Sequence, residues 1–371
     1  ILVSRAGKIV HLSTYGQRDL ESGAPVELDT IFRIYSMTKP ITSVAAMMLY
    51  EEGAFELKDP VSRFIPAFEN MRVYRSGSAL KPVTVPATGP VRIWHLLTHT
   101  AGLTYGFHNA HPVDALYRAA GFDWETPEGA DLATCCDAWA SFPLLFQPGA
   151  EWNYSVATNV LGRVVEIASG LTLDQFFAER IFKPLGMTDT GFWVPEGDVE
   201  RLAALYTPQP DTLRAVRYDV MGNTVLRRPA CLRGDGGLVS TAADYHRFNQ
   251  MLLRGGELDG VRLLSNRTLR YMTQNHLPGG VDLEKFGRLL FAETTFDGVG
   301  FGLGFSVVMD PVANKVLVSQ GEFSWGGAAS TAFWVDPAEE ITALFLTQLL
   351  PSSAYPLRPQ FRQLVYQALV D

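Results

Sequence analysis

Ser36 and Lys39 stand three residues apart in FRIYSMTKPITSVAAMML, residues 32 to 49, and together they can do chemistry. A serine hydroxyl is a weak nucleophile until a neighbour takes its proton, and a lysine amine can share that task once burial has lowered its pKa. Residues i and i+3 share one helix face, so the amine and the hydroxyl can meet. Ile41, Val44, Ala45, Met47 and Met48 recur at helical spacing, which predicts a helix from about Ser36 to Glu52 that stops at Gly53. Pro40 must then fall in the first turn, where a missing N–H costs nothing. Ser36 is therefore expected at the helix N-terminus, facing the positive end of the dipole. A capping serine followed by a solvated lysine gives the same four-residue pattern without any chemistry.

The elements that must position this pair are strands at the two ends of the chain and helices between. ILVSRAGKIVHLSTYGQRD reads as two strands around Ala6-Gly7-Lys8. Near the other end, TAFWVDPAEEITALFLTQLL reads as a strand, a turn at Asp336-Pro337 and a second strand from Ile341 to Leu346, and FRQLVYQALV follows with helical spacing. VRIWHLLTHTAGL, VDALYRAAG and LDQFFAERIFKPLGM favour helices, separated by Gly- and Pro-rich loops such as residues 76 to 90. The expected fold class is α+β: an antiparallel sheet flanked by helices, built from residues 1–72 and 226–371, with a mostly helical region, 73–225, inserted.

Composition narrows the function classes. The 371 residues are 47% apolar and 19% charged with a net charge of -8, which argues against a nucleic-acid surface. No run of apolar residues reaches the ~18 that a membrane span needs. Cys135 and Cys136 are adjacent and Cys231 stands alone, which is neither a disulfide framework nor a zinc spacing, so all three are expected as small buried hydrophobes. The chain begins ILVSRAGKIV rather than with methionine. This leaves a periplasmic or secreted location open beside the cytoplasmic one expected here.

IFRIYSMTKPITSVAAMMLYEEGAFELKDPVSRFIPAF resembles the first motif region of the serine β-lactamase and penicillin-binding-protein superfamily, nearest to the family VIII carboxylesterases. WHLLTHTAGLTYGF, FQPGAEWNYSVATNVLGRVVE, KPLGMTDTGF, GDGGLVSTAADYHRFNQMLLRGGELDGVRLLS and VGFGLGFSVV carry the likeness onward in the same order. The resemblance implies a β-lactamase-like fold with Ser36 as nucleophile, Lys39 as activator and Tyr154 as general base, its phenol pKa lowered by the Lys39 ammonium. Val156 replaces the amide of the family's Tyr-x-Asn motif and would line the substrate site, a Tyr-Ser-x form that resembles the esterase branch. Trp325-Gly326-Gly327 stands for the usual Lys-Thr-Gly, an apolar wall in place of a cation. Its glycines are expected to leave room for substrate, and the amides of Ser36 and Ala328 to form an oxyanion hole. Tyr105 and Phe107 are expected to line the pocket as well.

The implied activity is hydrolysis of short-chain acyl esters through an acyl-enzyme on Ser36, with a small-molecule ester as partner and no metal or cofactor. β-Lactamase or D-amino-acid peptidase activity, acyl transfer, and non-catalytic binding on the same scaffold are the rival readings. Oligomeric state is left open. His95 and His99 have the i,i+4 spacing of metal ligands without an evident third, and the chain lacks the G-x-S-x-G elbow of an α/β-hydrolase triad. Arg233-Gly234-Asp235 is read as a chance adhesion tripeptide in a glycine-rich loop.

Overall fold

The computed structural model describes residues 1–212, 214–288 and 296–370. Its first strands, β1 (Leu2–Arg5) and β2 (Lys8–Leu12), meet at a two-residue turn in which Ala6 and Gly7 both take positive φ, 50° and 74°. That backbone matches the right-handed twist of the flanking strands. Residues 76 to 90, expected as loop, instead contribute to a separate hairpin of β3 (Arg72–Ser78) and β4 (Lys81–Pro86). Val73 pairs with Val85 and both pack on the core, the register shifts between Tyr74 and Ser76, and Gly77, at φ 100°, lies close against the Lys81 carbonyl. The alternating β-branched residues outweigh the Gly and Pro that suggested a loop.

The C-terminal part supplies β5 (Val299–Phe301), β6 (Ser306–Val308), β7 (Phe323–Gly326), β8 (Ala332–Asp336) and β9 (Ile341–Phe345). The main sheet runs β5-β6-β7-β8-β9-β1-β2, antiparallel throughout. The two chain ends are thus stitched together by Leu2↔Leu344 and its neighbours. Alternate residues of β8 serve two layers, as a period of two requires. Phe333 and Val335 enter the main core. Trp334 enters a second core with Val3, Ile341, Ala343, Phe361 and Val365.

Among the helices, α1 (Thr38–Glu51), α2 (Ala157–Ser169) and α3 (Ala242–Leu253) pack into the main core, and α4 (Leu357–Gln367) covers the opposite face. The expected helix in VRIWHLLTHTAGL is confined to Ile93–Leu97, because His99 turns the chain at φ 54° and gives its carbonyl to the Asn153 amide. LDQFFAERIFKPLGM begins as a helix at Leu173–Phe177, widens into a π turn over Ala178–Phe182 and ends after Lys183–Leu185. Pro184 lacks the N–H that a regular turn would use.

Helix α1 is buried on every side from Thr38 to Leu49. Such a helix must be apolar all round, so a lysine within it is exceptional. A short ladder, Arg33↔Val239 and Phe32↔Ser240, draws the loop ahead of Val239 alongside the start of α1. From the other side Gly304, at φ 98°, lets the chain pass so close that an added Cβ would overlap Ser43 of α1. Gly304→Ala is therefore expected to lower stability by about 2–4 kcal/mol, read as a shift of the urea midpoint. Ser43→Ala should not restore it, because the Ser43 Cβ is itself in the way.

Candidate active site

Ser36 lies in a single 3-10 turn, Tyr35–Met37, that leads into α1. Tyr35 takes a left-handed φ of 42°, a strained geometry of the kind that gathers at functional sites. Lys39, only 3% exposed, donates to the Ser36 Oγ at 3.1 Å and to the backbone carbonyl of Asp235 at 2.7 Å. Burial drives its pKa down to about 7, against the pull of the Asp235 carboxylate and with some help from Arg233. Near neutral pH the amine is therefore poised between its two protonation states.

Tyr154 precedes α2 and is held by its neighbour: the Asn153 side chain donates to the Leu103 carbonyl at 2.9 Å, and the Asn153 amide to His99. The phenol ring packs among His99, Tyr105 and Trp325, with centroids 5.0, 5.4 and 5.4 Å away. Its oxygen accepts from the Trp325 indole N–H at 3.3 Å. The expectation of a lowered phenol pKa is overturned. Burial raises it well above the ordinary tyrosine value, although hydrogen bonding with Ser36 and Trp325 pulls it back in part. The geometry supplies the reason: Lys39 Nζ sits over the ring face, 4.4 Å from its centroid, and its own charge is marginal at neutral pH. Of the two groups, Lys39 has the more suitable pKa to accept a proton at pH 7.

Strand β7 carries the third segment. It is internal to the sheet where Phe323 and Ser324 pair with β6, but Trp325 and Gly326 have ladder partners only on β8 among the described residues. The freed edge borders the cleft beside Ser36. The two glycines line the cleft, and their missing side chains also make room for other parts of the protein. An added Cβ at Gly326 would strike the Arg358 guanidinium, and one at Gly327 would strike the Ile34 carbonyl and the Thr331 hydroxyl. Among the described residues neither the Ser36 nor the Ala328 amide donates to a backbone carbonyl, and both residues line the cleft.

The cleft, a cavity of about 200 Å³, brings together Ser36, Lys39, Tyr154, Trp325, Gly326, Gly327, Ala328, Tyr105 and Phe107. Val156 is not among them: its side chain is buried in the core and its backbone opens α2. Tyr105 gives its hydroxyl to Asp235 at 2.6 Å, and Phe107 lies between Tyr105 and Trp124 with near-parallel rings at 4.6 and 4.3 Å.

Asp235 belongs to the site although its sequence context reads only as the end of an Arg-Gly-Asp tripeptide. Its carboxylate accepts from Tyr105 and from Arg233 Nε at 3.2 Å, and its amide donates to Asn159 at 3.0 Å. Burial opposes its charge, but Arg233, Lys39 and the Tyr105 hydroxyl outweigh that and lower its pKa. An acid followed by glycines in GDGG was the available signal. Trp124 and Arg358 also line the cleft, with no signal in their local sequence. His95 and His99 have separate duties: His95 accepts from the Arg92 amide at 3.0 Å, and His99 meets Ser155 at 3.3 Å beneath Tyr154. Among the described residues no three His, Cys, Asp or Glu side chains gather as metal ligands would. No described helix is long and apolar enough to cross a membrane.

A serine beside a buried amine, at the edge of an antiparallel sheet backed by helices, defines a hydrolase of the serine class. The chain belongs to the beta-lactamase family, whose model matches residues 1–367. It is 39% identical over 353 residues to Protein Rv1367c of Mycobacterium tuberculosis, covering 94% of this chain and 85% of that one. Over 378 residues it is 32% identical to esterase EstB of Burkholderia gladioli, covering 98% and 89%. Of the solved structures, EstCE1, described as a hydrolase with promiscuous acyltransferase activity, superposes with a TM-score of 0.79 at 29% identity, covering 98% of this chain and 92% of that one.

The Lys39 environment makes a pH prediction. Labelling of Ser36 by a fluorophosphonate should climb about tenfold per pH unit in acid and level off above a midpoint of about 7. Asp235 raises the Lys39 pKa, so Asp235→Asn should move that midpoint to lower pH. Mass spectrometry of labelled peptide against pH measures both.

Proposed function

We propose that this protein is a carboxylesterase acting on short-chain acyl esters through an acyl-enzyme on Ser36. The observation that carries the proposal is the Lys39 amine, with a pKa near 7, held 3.1 Å from the Ser36 hydroxyl in a cleft walled by Tyr105, Phe107 and Trp325. The neutral amine accepts the Ser36 proton as Oγ attacks the ester carbonyl. The amides of Ser36 and Ala328 face the oxygen on which negative charge develops. Collapse of this intermediate expels the alkoxide. Tyr154, a neutral phenol up to this point, passes its proton to the departing oxygen and takes one from the Lys39 ammonium, which returns both groups to their neutral forms. Water then attacks the acyl carbonyl, gives a proton back through the same groups, and releases the acid and free Ser36.

Trp325 favours an ester over a substrate that needs a cation at this position, since an indole offers apolar surface and one N–H, which here is directed at Tyr154. The likeness to esterase EstB supports the same choice. The likeness to EstCE1, a hydrolase with acyltransferase activity, favours as a second reading that an alcohol can replace water in the last step.

The wild type should hydrolyse p-nitrophenyl butyrate faster than a chromogenic cephalosporin, and Ser36→Ala should lose the activity; equal rates for the two proteins would refute the assignment. Tyr154→Phe should lower kcat about 10²–10³-fold while leaving the pH midpoint near 7 in place. A midpoint that moved with the phenol would return the base role to Tyr154.

A further inference from the structure

The turn that presents the Ala328 amide is held by side chains and carbonyls around it, one of them at the wall of the cleft. The Gly327 amide donates to the Thr331 carbonyl at 2.8 Å, and Ser330, at φ 66°, ties its hydroxyl to the Leu349 carbonyl at 2.7 Å. Arg358, near the start of α4, completes the arrangement. One guanidinium nitrogen, Nη2, donates to the Gly327 carbonyl at 2.6 Å and to the Thr331 carbonyl at 2.9 Å. The two carbonyls flank the turn that carries Ala328, so a single planar group spans its base.

Gly326 makes this contact possible. The guanidinium lies where a side chain at 326 would begin, with its central carbon and both Nη2 and Nε inside the space of an added Cβ. The cation is also close enough to the cleft to favour the ionised form of Tyr154.

We propose that Arg358 is the positioning residue of the oxyanion hole, fixing the Gly327–Thr331 turn so that the Ala328 amide is aimed at the oxygen that gains charge. This rests on the reading of Ser36 as nucleophile and of Ala328 as a hole donor. Gly326 belongs to the same device, since its missing side chain is what admits the guanidinium. The arrangement acts on transition-state charge and not on substrate affinity, because the Ala328 amide gains most when the carbonyl oxygen becomes anionic.

Two variants test this independently. In Arg358→Ala the tie is removed, and in Gly326→Ala the guanidinium is displaced while the charge stays. Each should lower the rate of Ser36 labelling by a fluorophosphonate, and kcat on p-nitrophenyl butyrate, by about 10²-fold with KM within about threefold of wild type. The pH midpoint near 7 should not move, since Arg358 is not among the charges that set the Lys39 pKa. Millimolar guanidinium ion should restore part of the labelling rate of Arg358→Ala. Folded variants that label at the wild-type rate, or that lose only KM, overturn the inference. If Arg358→Ala does not fold, Gly326→Ala decides by the same readings. A wild type that no fluorophosphonate labels would instead defeat the nucleophile reading, and this inference with it.

Discussion

The structure depends on keeping one lysine amine inside the protein. An ammonium in an apolar interior is costly unless partners surround it, and the cheaper resolution is a lowered pKa. Lys39 combines both. It sits on a helix buried from Thr38 to Leu49, retains two hydrogen bonds, and lies near a buried carboxylate whose own charge is balanced by Arg233. Asp235 is satisfied at every polar atom: Lys39 on its carbonyl, Asn159 on its amide, Tyr105 and Arg233 on its carboxylate. A partly satisfied version of this cluster would be worse than an apolar core, which explains why so many elements converge on it.

That convergence accounts for the topology. Ser36 comes from the 3-10 turn that leads into α1 and Lys39 from the first turn of α1, Asp235 from a loop drawn in by the ladder between Phe32–Arg33 and Val239–Ser240, and Tyr154 from the chain entering α2. Trp325 and Ala328 come from β7 and its turn, in a sheet to which the first strand is joined through β9. The aromatic packing around Tyr154 then fixes the phenol without charge, with His99 below it and Trp325 bonded to its oxygen. Burial that secures the ring's position also raises its pKa, so one packing choice settles both its place and its protonation state.

The pairing of Ser36 with Lys39 is legible because it is local: three residues apart where a 3-10 turn runs into α1, within hydrogen-bonding reach. The terminal strands and α4 were legible for the same reason, since alternation and helical spacing are carried by consecutive residues. Errors arose where tertiary contacts decide. That the glycines at 326 and 327 also make room for Arg358, Ile34 and Thr331 is decided by such contacts and has no local signal. Val156 looked like a pocket residue because a family motif places a polar side chain there, yet an apolar one turns into the core. Residues 76 to 90 looked like loop until the pairing of Val73 with Val85 gave them a partner.

From the residues alone came the Ser-x-x-K pair at a helix with Pro40 in its first turn and an antiparallel sheet with strands at both ends of the chain; the resemblance added that Trp325 stands where a cation is usual. Each rests on neighbours within a few positions or on residue type. Only the assembled molecule decided which group is ready to accept a proton, because a pKa depends on how much water and which charges surround the atom. The assembled molecule also brought Asp235 beneath Lys39 and Arg358 behind Gly326, contacts separated by 196 and by 32 positions along the chain. No short-range pattern encodes such pairs; they form when the sheet and its covering helices close on one core.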